Sequence, residues 1–185
     1  MKITPLALEG IVLIEIPAFE DSRGMFMETW REDRFSDAGV TMKWHQDNLS
    51  ISRQKGTIRG MHWQIQPFAQ AKLVRVVNGR ILDVVVDIRR GSTTFGKAIG
   101  VELLGNANQA LLVPVGFAHG FCTLENDTIV IYKTSANYNP ASERSLNWAC
   151  PDLQISWPIN ASEAIVSQKD SDAPAWADLA GEDMF

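Results

Sequence analysis

Between about Ile11 and Trp157 the chain is a succession of short β-branched and aromatic runs broken by Gly, Pro, Asn and Asp, the rhythm of an all-β sandwich or barrel. Its clearest unit spans residues 72–88. There Leu73-Val74-Arg75-Val76-Val77 and Ile81-Leu82-Asp83-Val84-Val85-Val86-Asp87-Ile88 flank Asn78-Gly79, a dipeptide that tolerates positive φ. The pattern predicts that these two runs pair as a β-hairpin across a type I′ turn. Further strands are predicted at residues 57–64, 98–104, 109–113, 120–124 and 128–134, and a short helix within residues 27–38. After Trp157 the chain becomes acidic and Ala-rich, with Asp170, Asp172, Asp178, Glu182 and Asp183, which predicts a loop and helical tail laid over the β-core. No repeat or linker interrupts residues 1–185, so a single domain is expected.

Composition narrows the function classes. At 185 residues the chain suits one well-buried core and is short for two. The net charge is −5, and no basic cluster is longer than Arg89-Arg90, so the electrostatic footprint of a nucleic-acid binder is missing. Glu9 and Glu15 interrupt the N-terminal apolar stretch, which fits neither a signal peptide nor a membrane span and sets a cytoplasmic expectation. Cys122 and Cys150 lack CxxC spacing, so no zinc knuckle or disulfide framework is suggested.

The turn Pro114-Val115-Gly116-Phe117-Ala118-His119 within a small antiparallel barrel suggests the cupin jelly-roll architecture, whose mouth commonly holds a ligand. Metal-binding cupins need several imidazoles and a carboxylate converging on one ion, typically with two His two residues apart. Only His45, His62 and His119 are present, and Gln64, a poor transition-metal ligand, stands two after His62. No bound catalytic metal is therefore expected. A lone histidine is ordinarily a hydrogen-bonded core residue, but His62 has chemically suggestive company. Regular alternation puts Ile58, Gly60, His62 and Gln64 on one face of a strand, Lys72 with Val74 and Val76 on a face of another, and Tyr132 on a third. A His of pKa about 6.5 can take a proton, a Lys can steady an oxyanion, and a Tyr can return a proton. Together they are equipped for proton abstraction next to a carbonyl. Asp83, Asp87 and Asp170 are the carboxylates able to orient the base, and spacing does not choose among them.

Several blocks, in order, closely resemble the dTDP-4-dehydrorhamnose 3,5-epimerase family. They are Gly56-Thr57-Ile58-Arg59-Gly60-Met61-His62-Trp63-Gln64, Ala69-Gln70-Ala71-Lys72-Leu73-Val74-Arg75, Asp83-Val84-Val85-Val86-Asp87-Ile88-Arg89, the Pro114–His119 turn with Gly120-Phe121, Tyr132-Lys133-Thr134, Glu143-Arg144-Ser145-Leu146-Asn147-Trp148 and Ser167-Gln168-Lys169-Asp170. The resemblance implies a cofactor-free, cupin-fold homodimer that epimerises a 4-keto-6-deoxy sugar nucleotide in carbohydrate biosynthesis. It implies His62 as base, Asp170 as its dyad partner, Lys72 as stabiliser of the enolate and Tyr132 as acid. It further implies substrate contacts from Arg23, Glu28, Gln46, Asp47, Asn48, Arg59, His119, Glu143 and Lys169, with Phe26 and Tyr138 stacking on thymine. Strict alternation points Arg59 away from His62, so a bulge at Gly60 or a contact from a neighbouring subunit is required. Ala71, Met61 and Arg80 stand where the family usually has Gly, Leu and Glu. Competing readings are an epimerase of carbon 3 alone or of another nucleotide's sugar, a metal-dependent cupin oxygenase, and a non-catalytic sugar-nucleotide binding module.

Overall fold

The structure, a computed structural model, describes all residues from Met1 to Phe185. Thirteen strands, numbered in chain order, form two antiparallel sheets and a separate ribbon. The first sheet runs β1 (Lys2–Pro5), β2 (Val12–Glu15), β10 (Gln109–Val113), β7 (Lys72–Asn78), β12 (Thr128–Thr134) and β5 (Gln46–Ser52). The second runs β13 (Glu143–Ser145), β6 (Ile58–Gln64), β11 (Phe117–Thr123), β8 (Arg80–Asp87) and β9 (Ala98–Leu104). The ribbon is β3 (Ala18–Asp21) paired with β4 (Gly24–Met27). No strand belongs to both sheets, so the all-β jelly-roll expectation holds as a two-sheet sandwich without a fully hydrogen-bonded barrel wall.

Three apolar layers hold the sandwich. Between the sheets, Val74, Val76, Leu111 and Val130 of the first meet Ile81, Val85, Leu103 and Phe121 of the second. Behind the second sheet, Met61, Trp63, Val84, Val86 and Leu146 are covered by Leu153, Trp176, Leu179 and Phe185 of the tail. Behind the first, Leu73, Ala110 and Leu112 lie under Phe35, Val40, Trp30 and Trp44. Burial on both faces explains why Val84-Val85-Val86 of β8 reads as a continuous apolar run instead of an alternating one. Each fully buried aliphatic side chain contributes about 1.5–3 kcal/mol.

The predicted strands appear near their expected bounds, with β11 beginning earlier, at Phe117. The hairpin is corrected. β7 pairs with β10 and β12, whereas β8 pairs with β11 and β9, so the two runs face one another across the core instead of lying side by side. Of Asn78-Gly79 only Gly79 takes positive φ (+79°), and the Asn78 amide donates to the Asp127 carbonyl at 2.9 Å. Apolar residues on both sides of a turn satisfy a hairpin and a sheet-to-sheet corner equally. The corner prevails because it gives each strand two neighbours and seals both faces. The predicted helix is also shorter, α1 (Glu32–Asp37), because Met27 is held in β4 opposite Ala18. The tail forms 3-10 turns and one short helix, α2 (Gln168–Ser171), as expected of it. No helix is long and apolar enough to cross a membrane.

A Cβ at Gly79 would lie 2.5 Å from Thr128 Oγ1 and 3.1 Å from its Cα, on a backbone that side chains disfavour. Gly79→Ala is expected to cost about 1–3 kcal/mol, seen as a lower urea midpoint at unchanged slope. An unaltered midpoint contradicts the tight corner.

Candidate active site

The site begins with an irregularity in β6. Opposite it on β11, His119 pairs with His62 and Phe121 with Arg59, so two steps on β11 span three on β6. The extra residue is a β-bulge at Gly60, whose φ is +126°. A Cβ there would meet Gly120 Cα at 2.5 Å, so this close backbone approach requires glycine. The bulge brings Arg59 round to the cleft lined by His62, while Met61 and Trp63 point into the apolar layer behind. Of the two explanations for Arg59, the bulge is the one the fold contains. Arg59 is steadied by Ser52 Oγ (3.2 Å) and the Ile51 carbonyl (3.3 Å).

The tail completes the site. A parallel bridge of Thr57 with Ile165 docks it beside β6, and the Asp170 N–H donates to Ser167 Oγ at the start of α2. Asp170, 4% exposed, thereby reaches His62 across 108 residues of chain, with Oδ1 at 2.6 Å from Nε2. Its Oδ2 accepts the Gly60 N–H at 3.2 Å. Burial pushes the Asp170 carboxyl up, but the bonds from His62, Gly60 and Ser167 outweigh it and hold the group below the usual carboxylate range. The carboxylate is thus ionised and accepts a hydrogen bond from Nε2–H, leaving Nδ1 as the nitrogen free to accept a proton.

Facing His62 from the first sheet are Lys72 and Tyr132, in the same cleft of about 580 Å³. The Lys72 ammonium donates to the His62 carbonyl at 3.0 Å. Burial pulls its pKa down to about 8, against the opposing pull of Asp83 and Glu143. Burial raises the Tyr132 phenol, keeping it protonated at neutral pH, while Arg59 partly offsets the shift. Of the other candidate carboxylates, Asp83 is fully buried and pairs with His119 at 2.9 Å. Asp87 is taken by Arg89, Ser92 and Thr94. No group of three or more His, Cys, Asp or Glu side chains is placed to share an ion.

A second lobe of about 320 Å³ continues past His62, Lys72 and Tyr132 to Gln46, Asn48, Tyr138 and Glu143. Glu143 accepts from Tyr138 Oη at 2.8 Å and from Lys169 at 2.6 Å. Burial would raise its carboxyl, yet these two bonds keep it below the usual range. The first lobe thus gathers Arg59, Lys72 and Lys169 against the single carboxylate of Asp170, an environment for an anion inside a protein of net charge −5.

A family model described as dTDP-4-dehydrorhamnose 3,5-epimerase matches residues 5–178. The chain belongs to this epimerase family. A curated family member from Sinorhizobium fredii is 42% identical over 97% of this chain and 91% of its own length. A crystal structure of the Legionella pneumophila epimerase in complex with dTDP-4-keto-L-rhamnose superposes with a TM-score of 0.93, at 38% identity, covering 99% of this chain and 96% of that one. The family also holds a 3'-monoepimerase from Streptomyces bikiniensis, solved with dTDP-quinovose, at a TM-score of 0.86 and 36% identity, covering 94% of this chain and 87% of that one.

Against the residues expected from the family resemblance, the fold brings His62, Lys72, Tyr132, Asp170, Arg59, His119 and Lys169 into one lobe and Gln46, Asn48, Tyr138 and Glu143 into the other. It does not bring Arg23, Phe26 or Glu28 to this cleft. Arg23 pairs with Asp21 on the exposed β3–β4 ribbon, Phe26 is 66% exposed, and Glu28 pairs with Arg31 and Arg34. Asp47 alternates to the far face of β5 and pairs with Lys133. Sequence reasoning missed Ser167 as the anchor of Asp170, and Gln64, whose side chain holds the Tyr138 loop through the Asn137 carbonyl and the Asn139 N–H. Local pattern carried no signal for either, since both act through residues distant in sequence.

The depressed Lys72 pKa has a testable consequence. Folding penalises its charged form, so the penalty is full below pH 8 and fades as pH rises towards the ordinary 10.5. Wild-type stability relative to Lys72→Met is expected to rise by up to about 3 kcal/mol across that window. A pH-independent difference contradicts the burial of a charged amine.

Proposed function

We propose that the protein converts dTDP-4-dehydro-6-deoxy-D-glucose to dTDP-4-dehydro-L-rhamnose by inverting carbons 3 and 5 without a cofactor. The observation that carries this reading is the His62–Asp170 pair, its carboxylate buried and its imidazole open to the cleft, set across from Lys72 and Tyr132. A proton next to a ketone is acidic only because the resulting charge moves onto the carbonyl oxygen, so the catalyst must place positive charge there in advance. His62 Nδ1 takes the proton from carbon 3 or 5, and the electron pair passes to the 4-oxygen as an enolate. Lys72 meets that oxygen with its ammonium. The Tyr132 phenol then returns a proton to the opposite face, and the carbonyl re-forms.

The diphosphate fits the cationic lobe, where Arg59 offers a planar guanidinium and Lys169 a second charge, with His119 beside them. Gln46, Asn48 and Glu143 supply polar contacts in the second lobe, and Tyr138, 53% exposed, offers a face for the base. We further propose a homodimer in which the projecting β3–β4 ribbon of a second copy brings Arg23, Phe26 and Glu28 to this cleft, with Asp47 at its rim. The exposure of Phe26 and the distance of the ribbon from its own cleft support that arrangement. An activated nucleotide sugar as substrate goes with a cytoplasmic location.

Incubation with dTDP-4-dehydro-6-deoxy-D-glucose in D₂O, followed by NMR, tests the reading. Wild type should incorporate deuterium at carbons 3 and 5 with inversion at both. Label at carbon 3 alone instead supports the monoepimerase activity named for the Streptomyces relative. His62→Ala should lower exchange about 10²–10⁴-fold in a folded protein, and retained exchange contradicts its role as base. Tyr132→Phe should still exchange but invert poorly. Normal inverted product from that variant assigns the acid to another group.

A further inference from the structure

The short strand β13 is an edge, hydrogen-bonded only to β6, yet it carries Glu143 into the cleft and sets Ser145 opposite His62. The same two strands are gripped from behind at one point. Trp63, 3% exposed, donates its indole N–H to the Asp183 carbonyl at 2.7 Å. Arg144, directly opposite Trp63 in the register, donates Nε to the Asp183 carboxylate. The same guanidinium binds the carbonyls of Ala141 (3.0 Å) and Glu143 (2.9 Å), so it gathers the entry to β13. Asp183 is itself anchored, because Phe185 bridges the end of β8 through Phe185 N to Ile88 O (3.1 Å) and Arg90 N to Phe185 O (2.6 Å).

We propose that Asp183 is a positioning residue for the epimerase site, acting through Trp63 and Arg144 to fix the strands that present His62 and Glu143. The proposal rests on the functional reading above. Asp183 lies beyond residue 178, where the match to the family model ends. The buried indole N–H has no other acceptor, and the edge strand has no other neighbour, so the clasp sets the spacing between them. Loosening it lets Glu143 drift from Tyr138 and Lys169, which degrades substrate binding before it degrades proton transfer.

Steady-state kinetics of the full chain with dTDP-4-dehydro-6-deoxy-D-glucose test this. Asp183→Ala, which removes the carboxylate held by Arg144 and keeps the carbonyl held by Trp63, should raise KM about three- to tenfold with kcat per folded enzyme within about twofold. Arg144→Met, which also frees the carbonyls of Ala141 and Glu143, should raise it at least as much, and the double variant should be no worse than Arg144→Met alone. A role in packing alone lowers the melting temperature at unchanged KM, and that result overturns the proposal. Should Asp183→Ala fail to fold, Trp63→Phe deletes the indole donor while keeping one aromatic ring in the core; a wild-type KM there overturns the proposal equally. Absence of turnover in the wild type refutes the functional reading instead, and is seen before any variant is made.

Discussion

A carboxylate withdrawn from water is costly unless its lone pairs are filled; β6 fills those of Asp170 from Gly60 and His62, while Ser167 holds its backbone N–H. Ser167 holds the helical turn that carries it, the bulged Gly60 N–H caps one oxygen, and His62 occupies the other. Each partner is useful elsewhere. The bulge that frees the Gly60 N–H is also what turns Arg59 into the cleft, and the docking of the tail that delivers Asp170 closes the cleft wall. A single hydrogen bond of 2.6 Å to a buried carboxylate therefore ties the sheet, the tail and His62 into one arrangement.

Electrostatics then separates the roles. His62 is oriented by an ionised neighbour, whereas Lys72, which lacks an ion-pair partner at contact distance, is held near pKa 8 by burial. An ammonium so close to losing its proton is a strong hydrogen-bond donor to a developing enolate. Tyr132, pushed the other way, keeps its proton at neutral pH, as the proposed acid must. The second pair joins His119 on β11, beside His62, to Asp83 on β8 and adds a buried carboxylate that favours the Lys72 charge.

Much of this was legible in the sequence, for identifiable reasons. Strand periods and the Gly60 anomaly follow from local alternation, and the scarcity of imidazole follows from a count. The Lys72–Tyr132 face was readable because both strands alternate regularly. The partner strands of β7 and β8 were not, since an apolar run looks the same whether its neighbour is adjacent in sequence or across the core. The choice of Asp170 over Asp83 and Asp87 likewise depended on where the tail docks, which rests on Ile165 pairing beside Thr57 and on no local pattern. The ribbon bearing Arg23 and Phe26 was not recognised as strands because its residues alternate too weakly to be told from the short helix that follows.

The central claim is that Asp170 fixes His62 as the Nε2–H tautomer and leaves Nδ1 to take the substrate proton. Nitrogen-15 NMR of the labelled histidines reads this directly. The account predicts that neutral His62 shows a protonated Nε2, with a low-field proton that disappears in Asp170→Asn, and an unprotonated Nδ1. A neutral His62 protonated at Nδ1, or a spectrum unchanged by Asp170→Asn, would contradict it.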